Sequence, residues 1–266
     1  MSRYDFVREE VILDELNAAG RVTVADLVDR FGVSPVTVRK DLDLLERRAL
    51  LRRVRGGAVA APRDEGAFEI RLRSNAHIKR AIAEAAARLV SDGDVIAIDS
   101  STTTYYLAEE LVSRSGLTVI TNSMRTASLL MERSDATVVL PGGVIRRASR
   151  SVVGPLSDVL EGRGRIETGF FGASSVSRTL GMLELSTEES ELKKTLARAC
   201  DRVVGLFASS KTRGFGLHPF AEVDRITALY TDDAADPDFV SAWANSDVEI
   251  VTVAVPAAQR SESIPA

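Results

Sequence analysis

The chain is poor in the residues that build redox and metal sites. It has one cysteine, Cys200, and two histidines, His77 and His218. A single thiol excludes an intramolecular disulfide framework. The two isolated histidines have no partners at ligand spacing, so no metal centre is expected. No run approaches the ~18 apolar residues that a membrane-spanning helix needs. The opening stretch SRYDFVREE lacks the apolar core of a signal peptide, so the expected location is the cytoplasm. There is no short-period repeat and no low-complexity tract. The net charge of −4 argues against a generic polyanion-coating protein, and any binding to nucleic acid must use local positive charge. What remains is a soluble globular composition, 45% hydrophobic and 27% charged, over 266 residues. That length suits one small and one large domain.

Local positive charge is found near the N-terminus. Residues 4–19 read as a first helix, with Phe6, Val7, Ile12, Leu13 and Leu16 on its apolar side. Thr23 followed by Asp26 is a capping pattern. Val24, Leu27, Val28 and Phe31 continue at helical spacing, and Gly32 is placed to end that helix. Ser34 offers a second N-cap, with Pro35 at the first helical position. The short gap 32–34 forces a sharp turn, as in a helix-turn-helix. In the second helix Val38, Leu42 and Leu45 form the buried stripe. A recognition helix reads bases from its N-terminal residues, which makes Ser34, Val36, Thr37, Arg39 and Lys40 the candidates for the major groove. Arg47, Arg48, Arg52, Arg53 and Arg55 follow, with no acidic residue from Arg47 to Arg63. With a turn at Gly56-Gly57 they suggest a basic two-stranded wing over phosphates.

The segment AVAAPRDEGAF changes the pattern, and residues 58–75 read as a linker between a DNA-binding domain over 1–57 and a second domain over 76–255. The second domain alternates helices with short apolar strands: VIAID, LTVIT, ATVVL, TGFFGAS, RVVGLFA, ITALYT and VEIVTVAV. Continuous apolar strands are buried on both faces, which predicts an α/β domain with a largely parallel sheet. Residues 256–266 read as a disordered tail. Cys200, in ELKKTLARACD, reads as a buried structural thiol on a helix.

Ligands of open α/β sheets collect at the C-terminal ends of the strands. Four polar strand ends stand out. Asp99, Ser100, Ser101, Thr102, Thr103 and Thr104 lead from a strand into a helix, where hydroxyls and free N–H groups form an anion site or simply a rich cap. Asn122 and Ser123 follow the next strand. Gly142 and Gly143 form a loop open to close backbone approach. Lys211, after RVVGLFA, offers a point charge to a phosphate. Asp99 would repel a phosphate, and accepts hydrogen bonds either from its own loop or from a ligand hydroxyl. Glu188 is the other carboxylate candidate, or serves only the helix dipole. Gly214-Phe215-Gly216 is either a lid or an ordinary loop.

Together these pieces resemble the DeoR family of bacterial transcriptional regulators. The DNA-binding part rests on VADLVDRFGVSPVTVRKDLDLLERRALLRRVRGGAV. The sensor part rests on IRLRSNAHIKRAIAEAAARLVSDGDVIAIDSSTTT, on TNS, on LPGG and on STEESELKKTLARACDRVVGLFASSK. The resemblance implies a small α+β winged helix-turn-helix domain followed by an α/β sensor domain similar to ribose-5-phosphate isomerase. It implies a phosphorylated sugar or polyol as effector and repression of carbohydrate genes. The family's strand-end loop usually carries glycine where Ser101 stands. Its recognition helix usually carries paired arginines where Arg39 and Lys40 stand.

The expected function is a DNA-binding transcriptional repressor without catalytic residues, metal or cofactor. Double-stranded operator DNA and a phosphorylated sugar are its expected partners, and it should work as a homodimer or higher homo-oligomer. The alternative is a sugar-phosphate isomerase fused to a DNA-binding domain, with Asp99, Glu188 and Lys211 supplying acid–base chemistry.

Overall fold

A computed structural model describes residues 3–19, 21–47, 50–60, 67–155, 165–212, 214–244 and 246–255. The expected tail 256–266, Arg48 and residues 61–66 of the expected linker lie outside the described residues.

In the N-terminal region α1 (Arg3–Ala19) buries Ile12 and Leu16 fully. β1 (Arg21–Thr23) leads directly into α2 (Val24–Phe31). The Thr23 hydroxyl accepts from the Asp26 N–H at 3.2 Å, and Gly32 closes the helix in the left-handed conformation at φ 63°. α3 (Pro35–Arg47) begins where the Ser34 hydroxyl accepts from the Thr37 N–H at 3.1 Å. Val38, Leu42 and Leu45 are fully buried, each contributing ~1.5–3 kcal/mol by leaving water. The Arg8 guanidinium meets Asp41 at 2.9 Å and ties α1 to α3. β2 (Leu51–Val54) and β3 (Gly57–Ala60) form the wing, antiparallel, with Arg55 and Gly56 at the turn. β3 also pairs with β1, so the small sheet has the order β1-β3-β2.

The expected linker 58–75 needs correction on both sides. Residues 58–60 belong to β3, held between β1 and β2, and Ala58 is fully buried. Their alanines carry no strand signature, so only pairing with two neighbours makes this segment a strand. Phe68–Arg73 forms α4, anchored by Phe68, which is 1% exposed and meets Tyr105 edge to face at 6.0 Å. Asn75, at φ 51°, joins α4 to α5 (Ala76–Ala87).

The larger region is built on seven parallel strands. In chain order these are β4 (Val95–Ile98), β5 (Thr118–Thr121), β6 (Thr137–Val139), β9 (Ile166–Phe171), β12 (Cys200–Leu206), β14 (Ala228–Asp232) and β15 (Glu249–Val253). Their spatial order is β15-β14-β12-β9-β4-β5-β6. Along β4, Ile96 and Ile98 join the apolar cluster on one face, and Ala97 joins the cluster on the other. This double burial is why the strands read as unbroken apolar runs. α5, α6 (Thr102–Glu110) and α7 (Met124–Arg133) cover the first face, and α8 (Thr187–Arg198) and α9 (Pro237–Ala242) the second.

Two further pieces were not expected. β7 (Val144–Arg146) and β8 (Ser151–Val153) form a hairpin. β10 (Ser175–Ser177), β11 (Gly181–Glu184) and β13 (His218–Ala221) form a small antiparallel sheet. Cys200 is a second correction. It opens β12 rather than ending a helix, since the chain turns at Ala199. The thiol is buried, and burial pushes its pKa up to about 12. No described helix is long and apolar enough to cross a membrane.

Candidate functional site

The first candidate surface is the exposed side of α3 with the wing. Val36 is 58% exposed, and Arg39, Lys40, Arg47, Arg52 and Arg55 are all exposed. Ser34 and Thr37 share a hydroxyl–hydroxyl hydrogen bond at the helix start. Arg53 differs from its neighbours. Its guanidinium donates to Asp43 at 2.9 Å and to the Arg39 carbonyl at 3.1 Å, so it fastens the wing to α3. Its own N–H donates to Glu46 at 2.6 Å. The run of wing arginines thus divides into two exposed side chains and one structural clamp.

The second site is a cavity of about 190 Å³ at the C-terminal end of the parallel sheet. Strand order places it there. From β4 the chain proceeds through β5 and β6 to one edge, then returns to β9 on the other side of β4. A crevice opens beyond the strand ends at such a reversal. The loop after β4 supplies Ser100, Ser101, Thr102 and Thr103, and the loop after β9 supplies Gly172, Ala173 and Ser174. Lys211 comes from the loop after β12. Arg71 and Lys79 reach in from α4 and α5.

Asp99 is fully buried beneath the loop rather than in the cavity. It accepts from the Ser101 N–H at 3.0 Å, the Thr104 hydroxyl at 2.6 Å and the Gly172 N–H at 2.9 Å. Of the two roles expected for it, the organisation of its own loop is the one observed. Thr104 is fully buried in the same network. Ser101 caps α6 by accepting from the Thr104 N–H at 3.3 Å, with an ordinary extended backbone at φ −79°. Nothing in that conformation demands glycine. The close packing falls instead on Gly172, where a Cβ would collide with the Ser101 side chain.

Three other expectations are not met. Asn122 stands behind the cavity wall, donating weakly to Ser100 and to the Val152 carbonyl at 3.4 Å each. Ser123 caps α7 through the Thr126 N–H at 3.1 Å and is fully buried. Gly142 and Gly143 do not line the cavity. A Cβ at Gly143 would strike the Val153 carbonyl, so that glycine serves the β7–β8 hairpin. Glu188 is exposed and accepts from the Ser186 hydroxyl at 2.6 Å. Its neighbour Glu189 points inward, because one residue on a helix turns the side chain by ~100°.

Glu189 is 3% exposed. It accepts from the Ser149 hydroxyl at 2.6 Å, the Ser100 hydroxyl at 3.1 Å, the Arg146 guanidinium at 3.2 Å and the Ser151 hydroxyl. One helical turn later Lys193, 2% exposed, meets Asp99 at 2.7 Å, the Gly172 carbonyl at 3.1 Å and the Glu184 carboxylate. Burial disfavours the Lys193 ammonium, but Asp99, Glu184 and Glu189 outweigh it and hold its pKa above the ordinary lysine value. Burial likewise disfavours the Glu189 carboxylate. Lys193, the Ser149 and Ser151 hydroxyls and Arg146 reverse that and hold its pKa below the usual range.

The cavity lining also holds a group with different electrostatics. Lys79 donates to the Ser74 carbonyl at 2.8 Å and to the Arg71 carbonyl. Burial, then the charges of Lys211 and Arg71, push its pKa down to about 7. The lining therefore carries a group of cations, Arg71, Lys79 and Lys211, and a carboxylate–ammonium group of Glu184, Glu189 and Lys193, with the start of α6 joined to the second group through Ser100 and Glu189. The sequence reading missed Arg71, Asn75, Lys79, Glu184, Glu189 and Lys193. One signal was available: Glu189 and Lys193 share a helical stripe with the buried Leu192 and Leu196, where a charge needs a partner. Asp99, Glu188 and Lys211, the acid–base set named for the isomerase alternative, are not assembled. One is sealed, one faces solvent and one lines the cavity beside Lys79. Among the described residues no three His, Cys, Asp or Glu side chains group to hold a metal ion.

Residues 8–63 match the DeoR-like helix-turn-helix domain, and residues 74–233 match the DeoR C terminal sensor domain. The chain belongs to the DeoR family. As a DeoR-family protein it is a DNA-binding transcriptional regulator, and its parallel-sheet region is a sensor for a small molecule. It is 32% identical to the L-fucose operon activator of Haemophilus influenzae, over 92% of this chain and 98% of that protein. It is 26% identical to the glycerol-3-phosphate regulon repressor of Escherichia coli, over 85% of this chain and 90% of that one. The fold of the DeoR sensor region is similar to ribose 5-phosphate isomerase A from Methanocaldococcus jannaschii. That match has a TM-score of 0.40 and 22% identity, and covers 52% of this chain and 55% of that one.

Proposed function

We propose that this regulator is a cytoplasmic repressor of carbohydrate genes whose effector is a phosphorylated sugar or polyol. The observation that carries the reading is that Arg71, Lys79, Lys211 and the N-terminus of α6 line one cavity. Burial, then the charges of Lys211 and Arg71, lowers the Lys79 pKa to about 7. A dianionic phosphate relieves the repulsion and takes the free N–H groups of the helix start. Ser100, Ser174, Glu184 and Glu189 line the remainder, where they suit hydroxyl groups of a short carbon chain. The ligand is held and not turned over. Relatives that regulate an L-fucose operon and a glycerol-3-phosphate regulon support the carbohydrate-gene reading.

On the DNA side, Val36, Thr37, Arg39 and Lys40 read the major groove while Arg47, Arg52 and Arg55 contact phosphates. Arg53 positions the wing. A homodimer places two α3 helices on two half-sites. The effector acts by binding one arrangement of the protein better than the other.

Calorimetry tests the ligand class. Wild type and Lys211→Ala are titrated with sugar phosphates and their unphosphorylated parents. The phosphorylated compound should bind more tightly, and Lys211→Ala should abolish that preference. Equal binding of the parent sugar would overturn the reading.

A further inference from the structure

Phe215 belongs by sequence to the sensor and by packing to the DNA-binding region. It is 1% exposed and lies in one apolar cluster with Ile12, Leu16, Leu27, Leu42 and Leu45. Leu185 and Leu217 pack against the same cluster. The Gly214-Phe215-Gly216 segment is therefore neither a lid nor an ordinary loop. It inserts an aromatic ring into the core that supports α2 and α3.

Both ends of this segment are attached to the pocket. The Gly214 N–H donates to the Lys211 carbonyl at 3.0 Å, and the Leu217 N–H donates to the Glu184 carbonyl at 2.8 Å. A Cβ at Gly214 would collide with the carbonyl oxygens of Ser174 and Lys211, so the backbone presses on the pocket wall there. The Ser174 hydroxyl in turn donates to Glu184 at 2.8 Å. Lys211, Ser174 and Glu184 all line the cavity. A second link lies nearby: Asp14 of α1 accepts from the Ser177 hydroxyl at 3.0 Å and from the Thr179 hydroxyl.

We propose that Phe215 transmits occupancy of the pocket to the DNA-binding region. A ligand that draws Lys211 or Glu184 toward itself shifts the attachments of the segment and with them the ring. Close-packed cores respond to such shifts by changing arrangement rather than by absorbing them. The ring thereby links the ligand's differential affinity to the placement of α3, and by reciprocity links DNA to ligand affinity. This rests on the pocket being the effector site.

The test is hydrogen–deuterium exchange on the full chain, as wild type, Phe215→Ala and Phe215→Leu, with and without saturating inorganic phosphate. In wild type, phosphate should change exchange in pocket peptides and in peptides from residues 21–58. In Phe215→Ala the pocket response should persist and the response of 21–58 should vanish. Phe215→Leu, which keeps much of the volume, should retain part of it, and carries the comparison if the alanine variant does not fold. A wild-type-sized response of 21–58 in Phe215→Ala overturns the proposal. If phosphate leaves the pocket peptides of wild type unchanged, the effector-site reading fails instead. Coupling is then judged by Lys211→Ala without ligand. It should alter exchange of 21–58 when Phe215 is present and not when it is absent, and no alteration in either background overturns the proposal.

Discussion

On the surface of α3 and the wing, Arg39, Lys40, Arg47, Arg52 and Arg55 stand in water, whereas in the pocket Lys193 is 2% exposed and Lys79 9%. The two regions gather positive charge under opposite conditions. Exposed cations are screened, retain their hydration and contribute little to stability. They are available to phosphates from many directions. Buried cations must be answered by the protein itself. Lys193 is answered by three carboxylates, while Lys79 has only carbonyl oxygens among its hydrogen-bond partners and is held close to neutrality. The comparison separates charge left in water from charge answered within the fold.

The largest effect should come from breaking the answered charge. Lys193→Met leaves Asp99, Glu184 and Glu189 buried together, which should destabilise the fold by ~3–5 kcal/mol at neutral pH. Without the cation the burial that disfavours the Glu189 carboxylate is less compensated and its pKa rises, so part of the loss should be recovered as pH falls toward ~5. Thermal melts across that range decide it, and an equal loss at both ends would contradict the network.

Arg39→Ala and Lys40→Ala should each weaken operator binding by ~1–3 kcal/mol without altering the melting temperature. Gel shifts with operator and scrambled duplexes read this directly. An unchanged operator affinity in both variants would move base reading away from the start of α3.

Lys79 should make ligand binding depend on pH. Its folded pKa of about 7 lies below the ordinary 10.5, so the unfolded chain holds more protons between those values and the penalty of charging Lys79 is relieved as pH rises through 7. A bound phosphate reverses this by favouring the ammonium. Affinity for a phosphate ester should therefore fall above pH 7, by at most ~10-fold per pH unit, with proton uptake on binding. Below pH ~6 it should also weaken as the phosphate dianion takes up a proton and becomes a monoanion. Calorimetry in buffers of different ionisation enthalpy measures the uptake, and its absence would remove Lys79 from the anion site.

The smallest effect distinguishes the wing arginines from one another. Replacing Arg52 and Arg55 with alanine should reduce the salt slope of log K by ~0.9 for each phosphate no longer neutralised. Arg53→Ala should leave that slope intact and instead loosen the wing from Asp43 and the Arg39 carbonyl. A slope that falls equally for Arg53 would show that the clamp opens on DNA.

Much of this molecule is written in short-range patterns. Thr23, Gly32 and Ser34 act on backbone groups within four residues, so caps and turns are legible without knowing what packs on them. The apolar runs VIAI and VVGL report double burial for the same reason. The pocket was legible where strand ends carry polar or charged residues, as in Ser100–Thr103 and at Lys211. Glu189 differs from Glu188 in sequence only by sharing a stripe with Leu192, Lys193 and Leu196, and its partners Ser149 and Ser151 come from elsewhere in the chain.

Local interactions along the chain were sufficient to specify the winged helix, the parallel strands and the membership of a regulator family. The partners of Lys79, the burial of Asp99 and the insertion of Phe215 into a distant core follow from the strand order β9-β4-β5 and from how the two regions pack. Convergence of residues far apart in sequence depends on the return of the chain from β6 to β9, and no spacing rule within a helix or a strand encodes that return.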